Sequence, residues 1–532
     1  MSALRCLNRV FVISLICVVA FAGAVSAQST AFRQALAQAV AGDDELASFY
    51  RARDYSPIWL TERGTNRARV QALVEAFETS DAHGLPSEQY NHQTLRAMIQ
   101  GASGDVARGT LEGQLTRLFS SYARDIQTGI LVPSRIDSEI VRRIPYRGRQ
   151  ATLVAFTRSN PDGFMRSLPP KTPEYARLMK EKLRFEQLIA SGGWGPQVPG
   201  SRFEAGAGGD AVVMLRNRLI AMGFLGRTNT AVYDDAVRGA VQQFQLAHGL
   251  SADGVAGPGT LSEINKEPAE RLTSIIVAME RERWMNRPRG DRHVWVNLTD
   301  FSAQIIDNNR VTFQTRSVVG KNEEDRRSPE FSDIMEFMVI NPSWYVPRSI
   351  TVNEYLPLLQ RNPNAVSKLE MRDSRGNAVS RASVDFNSYD EDTFPYSFRE
   401  PPSQGNALGL VKFMFPNRYN IYLHDTPAKA LFGRETRAFS HGCVRLNDPF
   451  DFAYALLAPQ TSDPVGFFQS RLRTGNESRV NLDTPVPVHL VYRTAFTQAG
   501  GMTQFRRDVY GRDGRIWNAL RREGVALRAV RG

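Results

Sequence analysis

Three side chains able to do covalent chemistry sit close together late in the chain: His424, His441 and Cys443. The chain holds three cysteines and seven histidines in all. Cys6 and Cys17 lie in an apolar N-terminal stretch, so Cys443 is the sole thiol of the remainder. A lone cysteine forms no internal disulfide and needs another reason to be there. Thiolate is the nucleophilic form, yet a free thiol titrates near about 8.5 and is only slightly ionised at neutral pH. A nearby imidazole lifts that limit by taking the proton. The same three side chains are zinc ligands by type, but two of them are separated only by Gly442, an unusual geometry for one ion.

The flanking residues indicate how these groups are held. Ile421-Tyr422-Leu423 reads as a short buried strand delivering His424 at its end. Ser440-His441-Gly442 reads as a tight turn. Asp448 is a good helix N-cap and Pro449 suits the first helical position, with Phe450, Ala453 and Leu457 following at helical spacing. Cys443 is therefore expected in a turn just before a helix, where the amides of Gly442 and Cys443 could hold a developing oxyanion. Arg445 suits a bidentate pair with a substrate carboxylate, or equally an ion pair with Asp448.

His424, a gap of fifteen residues, then Ser440-His441-Gly442-Cys443 resembles the signature of the L,D-transpeptidase catalytic domain of the YkuD type. Glu280-Arg281-Glu282-Arg283-Trp284, Asn341 to Pro347, Asn406-Ala407-Leu408-Gly409 and Tyr422 to Pro427 are similar to its large periplasmic, YcbB-like branch. Arg445 departs from the Asn that several relatives carry. The resemblance implies that Cys443 is the nucleophile and His424 the base. The backbone carbonyl of Asp425 would orient His424. His441 would shape the pocket, and Tyr422, Asn406 and Arg445 would contact substrate. It further implies attack on diaminopimelate in a peptidoglycan stem peptide, a thioester on sulfur, and a 3-3 cross-link to a second diaminopimelate. No metal or cofactor would be required, and carbapenem-type inhibitors would acylate the thiol. Transfer to an outer-membrane protein amine or to water stays open as an alternative. So does a non-catalytic wall-anchoring protein, although an intact His-Ser-His-Gly-Cys set argues against that.

These motifs need elements to position them. A length of 532 residues implies several domains, and the overall class expected is multidomain α+β. Hydrophobic content of 42% and charge of 23% are those of an ordinary globular protein. The net charge is +11 without a run of five Lys/Arg, which fits a generally basic surface as well as a preference for anionic cell wall, and no nucleic-acid partner is expected. Residues 1–27 read as a cleavable signal peptide: Arg5 and Arg9, an apolar run, then Val25-Ser26-Ala27. Periplasmic export follows, with no membrane span once it is removed.

Residues 28–204 read as a helical scaffold, including a face of Leu118, Tyr122 and Ile126 and a second helix bearing Leu178, Leu183, Phe185 and Leu188. His83 and His92 read as surface residues. Residues 205–266 resemble a three-helix peptidoglycan-binding domain, which would hold glycan strands or serve as a structural module alone. Its helices begin at Asp210, Asp234 and Pro258, and Gly223 and Gly249 end the first two. His248 is open between core and groove. A connecting helix is expected over 267–290. The mainly β catalytic domain follows over 291–495, with an Asn308-Asn309 hairpin and Val486 to Tyr492 closing the sheet. A Pro-rich and polar insertion at 351–405 suggests a lid. Residues 496–532 read as a basic tail.

Overall fold

The computed structural model describes residues 30–61, 64–498 and 501–527; the expected signal peptide lies outside them. Among the described residues, no helix is long and apolar enough to cross a membrane. The N-terminal region is helical, a small helical module comes next, and the C-terminal half is mainly β.

The helical region packs around Asp105–Thr128, whose Leu111, Leu115, Phe119, Tyr122 and Ile126 are buried. Of the expected face, Tyr122 and Ile126 are buried, whereas Leu118 only packs against the core and Phe119 takes its place inside. His83 is not a surface residue. Its Nδ1 lies 3.1 Å from the Tyr175 hydroxyl and the two rings stack. Burial drops its pKa to about 4.

In the module, Asp210–Ala221, Asp235–Ala247 and Pro258–Ile264 enclose Leu215, Leu219, Val237, Val241 and Phe244. Asp234 caps the second helix by accepting from the Val237 amide at 3.0 Å. Gly209 occupies the N-cap of the first helix, and Asp210 lies inside it. His248 is a core residue stacked between Phe244 and Phe505. The module is also fastened to the C-terminal half. Arg507 reaches both Glu263 and Glu435, and Arg506 donates to the Ala247 carbonyl.

The connecting helix is Pro268–Trp284, shorter than expected, and opens with a capping box of Glu267 and Glu270. It is buried nearly all round and forms the spine of the molecule. Its charged run is structural. Arg283 pairs with Glu280 at 2.7 Å, Arg281 with Glu330 at 2.5 Å and Asp513 at 3.0 Å, and Glu282 with Arg289 at 2.8 Å. Buried charges survive only when paired in this way.

The catalytic half is built on strands β1 (Arg292–Asn297), β2 (Ser302–Asp307), β3 (Arg310–Gly320) and β4 (Phe331–Ile340). An insertion carries β5 (Trp344–Tyr345), β6 (Glu370–Arg372) and β7 (Ser397–Glu400). The chain then returns as β8 (Val411–Met414), β9 (Leu423–His424), β10 (Ala438–Ser440), β11 (Val444–Leu446) and β12 (Ser478–Val491). The main sheet runs β10-β3-β11-β9-β8-β4-β12-β1-β2, and β2 also pairs with β3. That last pairing, not the Val486 to Tyr492 segment, closes the sheet on itself; β12 lies inside it between β4 and β1. Asn308 and Asn309 both have positive φ, as a tight hairpin turn requires. Val294, Val296, Met338, Phe413, Leu423 and Val444 fill the interior.

The insertion is not a polar loop. Its three strands pair as β5-β7-β6 over a core of Leu356, Leu359, Met371, Phe386, Phe394 and Phe398. The basic tail is folded too. Ala495–Phe496 pairs with Gln504–Phe505, and the helix Arg512–Arg522 buries Ile516 and Leu520 against the connecting helix. Its arginines take acidic partners far away in sequence, such as Arg512 with Glu139 at 2.8 Å.

Candidate active site

Strand β9 carries His424 into the sheet, opposite Lys412 of β8 and Arg445 of β11. The imidazole is buried, and Nδ1 lies 2.5 Å from the Asp425 carbonyl oxygen. A carbonyl only accepts, so Nδ1 carries the proton and Nε2 keeps its lone pair. The Asp425 carboxylate is itself held, by the amides of Leu410 and Thr426 and by Lys429 at 2.7 Å. Gly409 is required beside it: its φ is +62° and a Cβ there would stand 2.3 Å from Asp425 Oδ2. Burial, reinforced by the Arg445 charge, pushes the His424 pKa down to about 3; the bond to the Asp425 carbonyl opposes this.

Cys443 sits on the turn between β10 and β11. It enters a three-residue strand rather than a helix; the helix Pro449–Leu457 begins only beyond β11. Asp448 does not cap that helix with its side chain but accepts from Thr315 Oγ1 at 2.7 Å. The thiol donates to the Asn420 carbonyl at 3.4 Å, and Asn420 is held at φ +52°. The Tyr422 side chain acts on the thiol, and Trp344 from β5 acts on Tyr422 in turn. Burial pushes the thiol up to about 11, against the pull of Tyr422 and Arg445. Among the described residues no hydrogen bond joins Sγ to His424, so the resting pair is a neutral thiol and a neutral imidazole.

The turn is braced from three sides. Ser440 Oγ donates to the Cys443 carbonyl at 2.6 Å and receives the Gly442 amide at 3.2 Å. Ser328 Oγ donates to the Gly442 carbonyl at 2.6 Å and receives the Gly320 amide at 2.9 Å. Tyr510, from the segment that reads as a tail, donates to the Gly320 carbonyl at 2.5 Å. Gly442 itself adopts φ +107°, which an L side chain rarely takes.

The other expected site residues divide. Arg445 lies beside both Cys443 and His424 electrostatically. The ion pair with Asp448 is not formed, and among the described residues no carboxylate pairs with Arg445; its Nε is buried and unpartnered. Tyr422 touches both reactive groups, its ring centroid 5.6 Å from that of His424. His441 turns to the insertion, where its Nε2 meets Glu354 Oε1 at 2.6 Å, and Glu354 also binds Arg326 at 2.8 Å. Glu354 lies in a single π-helical turn, Thr351–Tyr355. Asn406 is fully buried, and its amide is engaged by Glu400 O, Pro401 O and the Leu408 amide. It holds the Asn406 to Gly409 turn and presents nothing to a substrate, contrary to expectation. The Gly442 amide is taken by Ser440, whereas the Cys443 amide has no partner among the described residues. Sequence reasoning missed Ser328, Glu354, Asn420 and Tyr510, and gave Trp344 no role within the stretch it singled out; all of these reach the turn or its neighbours from outside the motif.

Residues 291–487 match a family model described as the L,D-transpeptidase catalytic domain (YkuD). Residues 44–181 match one described as a scaffold domain, and 208–264 one described as "Putative peptidoglycan binding domain". The chain therefore carries an L,D-transpeptidase catalytic domain joined to a scaffold and a peptidoglycan-binding module. A Haemophilus influenzae protein described as "Putative L,D-transpeptidase" is 32% identical over 257 residues, covering 47% of this chain and 50% of that protein. The chain thus spans about half the length of that curated relative. L,D-transpeptidase structures from Xylanimonas cellulosilytica and Stackebrandtia nassauensis align at 17% and 14% identity. Each covers 56% of this chain, and 98% and 97% of its own, with TM-scores of 0.17 and 0.22, too low to argue from shape.

Proposed function

We propose that this protein is an L,D-transpeptidase that cross-links peptidoglycan in the periplasm through a thioester on Cys443. The observation that carries the reading is the tautomer of His424. Its Nδ1 proton is committed to the Asp425 carbonyl, leaving the Nε2 lone pair free, and Tyr422 lies against both the imidazole and the lone thiol. A second support is Arg445, a guanidinium beside both groups with no protein carboxylate to satisfy it among the described residues. It suits the free carboxylate of a stem peptide.

In this reading the Cys443 proton passes to His424 Nε2 as sulfur attacks the diaminopimelate carbonyl carbon. Moving the proton during attack avoids building an ion pair that burial disfavours at both ends. The Cys443 amide holds the tetrahedral oxyanion. The intermediate collapses, the bond to the terminal D-alanine breaks, and His424 returns the proton to the leaving amine. The acyl group now rests on sulfur. The side-chain amine of a second diaminopimelate attacks the thioester, loses its proton to His424, and expels the thiolate, which is reprotonated. The product is a 3-3 cross-link.

The test is to incubate the protein with disaccharide-tetrapeptide and identify products by mass spectrometry. Dimers joined 3-3 are expected, and Cys443→Ala abolishes them while the fold is retained. A carbapenem adduct is expected on Cys443 alone. Cross-linking that survives Cys443→Ala rules out the thioester, and tripeptide as the sole product makes water the acceptor.

A further inference from the structure

A large cavity is lined by neither Cys443 nor His424. It encloses about 480 Å³ where the scaffold segment at 141–143 meets the end of the connecting helix and the 416–419 loop. The scaffold is locked to the sheet there, because the Val141 amide donates to Glu330 O and the Glu330 amide to Glu139 O, both at 2.8 Å.

The walls are strongly cationic. Arg142, Arg143, Arg287 and Arg418 line the cavity, and Asp333 is the one carboxylate facing them among the described residues. The Arg142 side chain is buried, bonded to Ser332 Oγ at 3.1 Å and to the Leu490 carbonyl. Its nearest carboxylate is Glu330 at 3.8 Å, which also serves Arg281 at 2.5 Å and Arg512 at 3.6 Å. Arg281 and Arg512 have further acidic partners in Asp513 and Glu139, whereas Arg142 has only this distant share of Glu330. Arg143 and Arg287 are exposed and have no acidic partner among the described residues. The crowding is felt: burial, with Arg281, Arg493 and Arg287 nearby, lowers the Arg142 pKa to about 10. Arg418 lies over the Tyr419 ring, its Nε 2.8 Å from the hydroxyl, so its guanidinium is held at the rim. Trp284 supplies an apolar wall for the body of a ligand.

A cavity of this size with unbalanced, planar, forked donors suits an elongated ligand bearing several carboxylates. We propose that it binds a peptide carrying two or more carboxylates, at a site separate from Cys443. A wall stem peptide is such a ligand, and to that extent the inference rests on the function proposed above. The position is connected to the chemistry. The lining loop is organised by Asn417, whose side chain binds the Phe415 and Ile421 carbonyls at 2.6 and 2.7 Å, and it leads directly to the Asn420 carbonyl that accepts the thiol.

The experiment uses the full chain with Cys443 alkylated by iodoacetamide, so that the active site is closed. Calorimetric titration with L-alanyl-γ-D-glutamyl-diaminopimelate is expected to show one binding event that weakens as salt rises. Arg143→Gln/Arg287→Gln, both exposed, is expected to weaken it tenfold or more without lowering Tm. Inorganic phosphate is expected to bind far less tightly than the peptide. The proposal is overturned if the alkylated protein does not bind the peptide, if the double variant binds as well as the parent, or if phosphate binds equally well. Cross-linking by the unalkylated protein is read separately. If it persists while peptide binding to the alkylated protein is absent, this inference alone fails; if it is absent, the Cys443 reading fails.

Discussion

Tyr510→Phe isolates the brace behind the catalytic turn. The substitution removes one oxygen and leaves the ring stacked on Tyr492, 5.7 Å between centroids. It deletes the bond to the Gly320 carbonyl at 2.5 Å and the weaker contact from the Ser328 amide at 3.4 Å. Tyr510 is 2% exposed, so the carbonyl it leaves behind is not simply rehydrated. An unsatisfied buried acceptor costs about 1–3 kcal/mol. The same Gly320 supports Ser328, which holds the Gly442 carbonyl, so part of that cost falls on the turn carrying Cys443. If about 1–2 kcal/mol of it reaches the acylation barrier, the rate drops by roughly five- to thirtyfold. The assay is stopped-flow acylation by a carbapenem, beside a thermal melt. Tyr233→Phe is the control. It loses a comparable buried bond, to the Gly254 carbonyl at 2.7 Å, inside the helical module. Both variants are expected to lose a few degrees of Tm, in line with a loss of about 1–2 kcal/mol, and only Tyr510→Phe to acylate slowly. Wild-type acylation by a destabilised Tyr510→Phe refutes the reasoning.

The resting pair is neutral, so iodoacetamide labelling of Cys443 is expected to climb with pH toward the thiol value of about 11, with no plateau between about pH 5 and 8; a plateau there establishes a preformed thiolate-imidazolium pair instead. Stability is expected to fall in acid. His83, His424 and His489 are held neutral when folded, at about 4, 3 and 3, whereas an unfolded histidine takes its proton below about 6.5. Their contribution is complete above about pH 6.5 and is lost as pH drops toward 4, with a ceiling of about 1.4 kcal/mol per unit per histidine. Melts at pH 7, 5.5 and 4.5 check this, and a constant Tm contradicts it. Glu354→Gln is expected to loosen the insertion, since the Glu354 contacts with His441 and Arg326 tie it to the catalytic half. The pair is partly exposed, so the loss is about 0.2–1 kcal/mol, read as up to about fivefold faster hydrogen exchange at 351–405; unchanged exchange means the ion pairs do not hold it.

The sequence made legible those features that neighbours in the chain determine. The caps and stop glycines of the module, the Asn308-Asn309 turn and the change from helical to alternating periodicity are all local signals. The grouping of His424 with Cys443 came instead from the resemblance of the motif, and in the structure β9 and β11 pair with His424 opposite Arg445. The helix expected straight after Cys443 shows the limit of such signals. Asp448-Pro449 does begin a helix, but three residues of strand precede it, too few to show a period. The exchange of Leu118 for Phe119 has a similar origin, since two adjacent apolar residues leave ambiguous which is buried. Tyr510, Ser328 and Glu354 were invisible for a different reason. Each acts on the turn or its neighbours from a distant segment, and nothing local marks it. The basic tail misled because composition counts charges and does not show their partners. Arg512 meets Glu139, and Arg515 meets Asp137.

The brace from Tyr510 has a consequence for how the protein comes into being. A ribosome makes the chain from its N-terminus, and domains fold broadly in that order. Every residue of the His424 to Cys443 motif is translated before Tyr510. A chain translated only as far as the motif thus holds His424 and Cys443 while the Gly320 carbonyl still lacks its partner, so the support of the turn is completed only when the segment around Tyr510 docks.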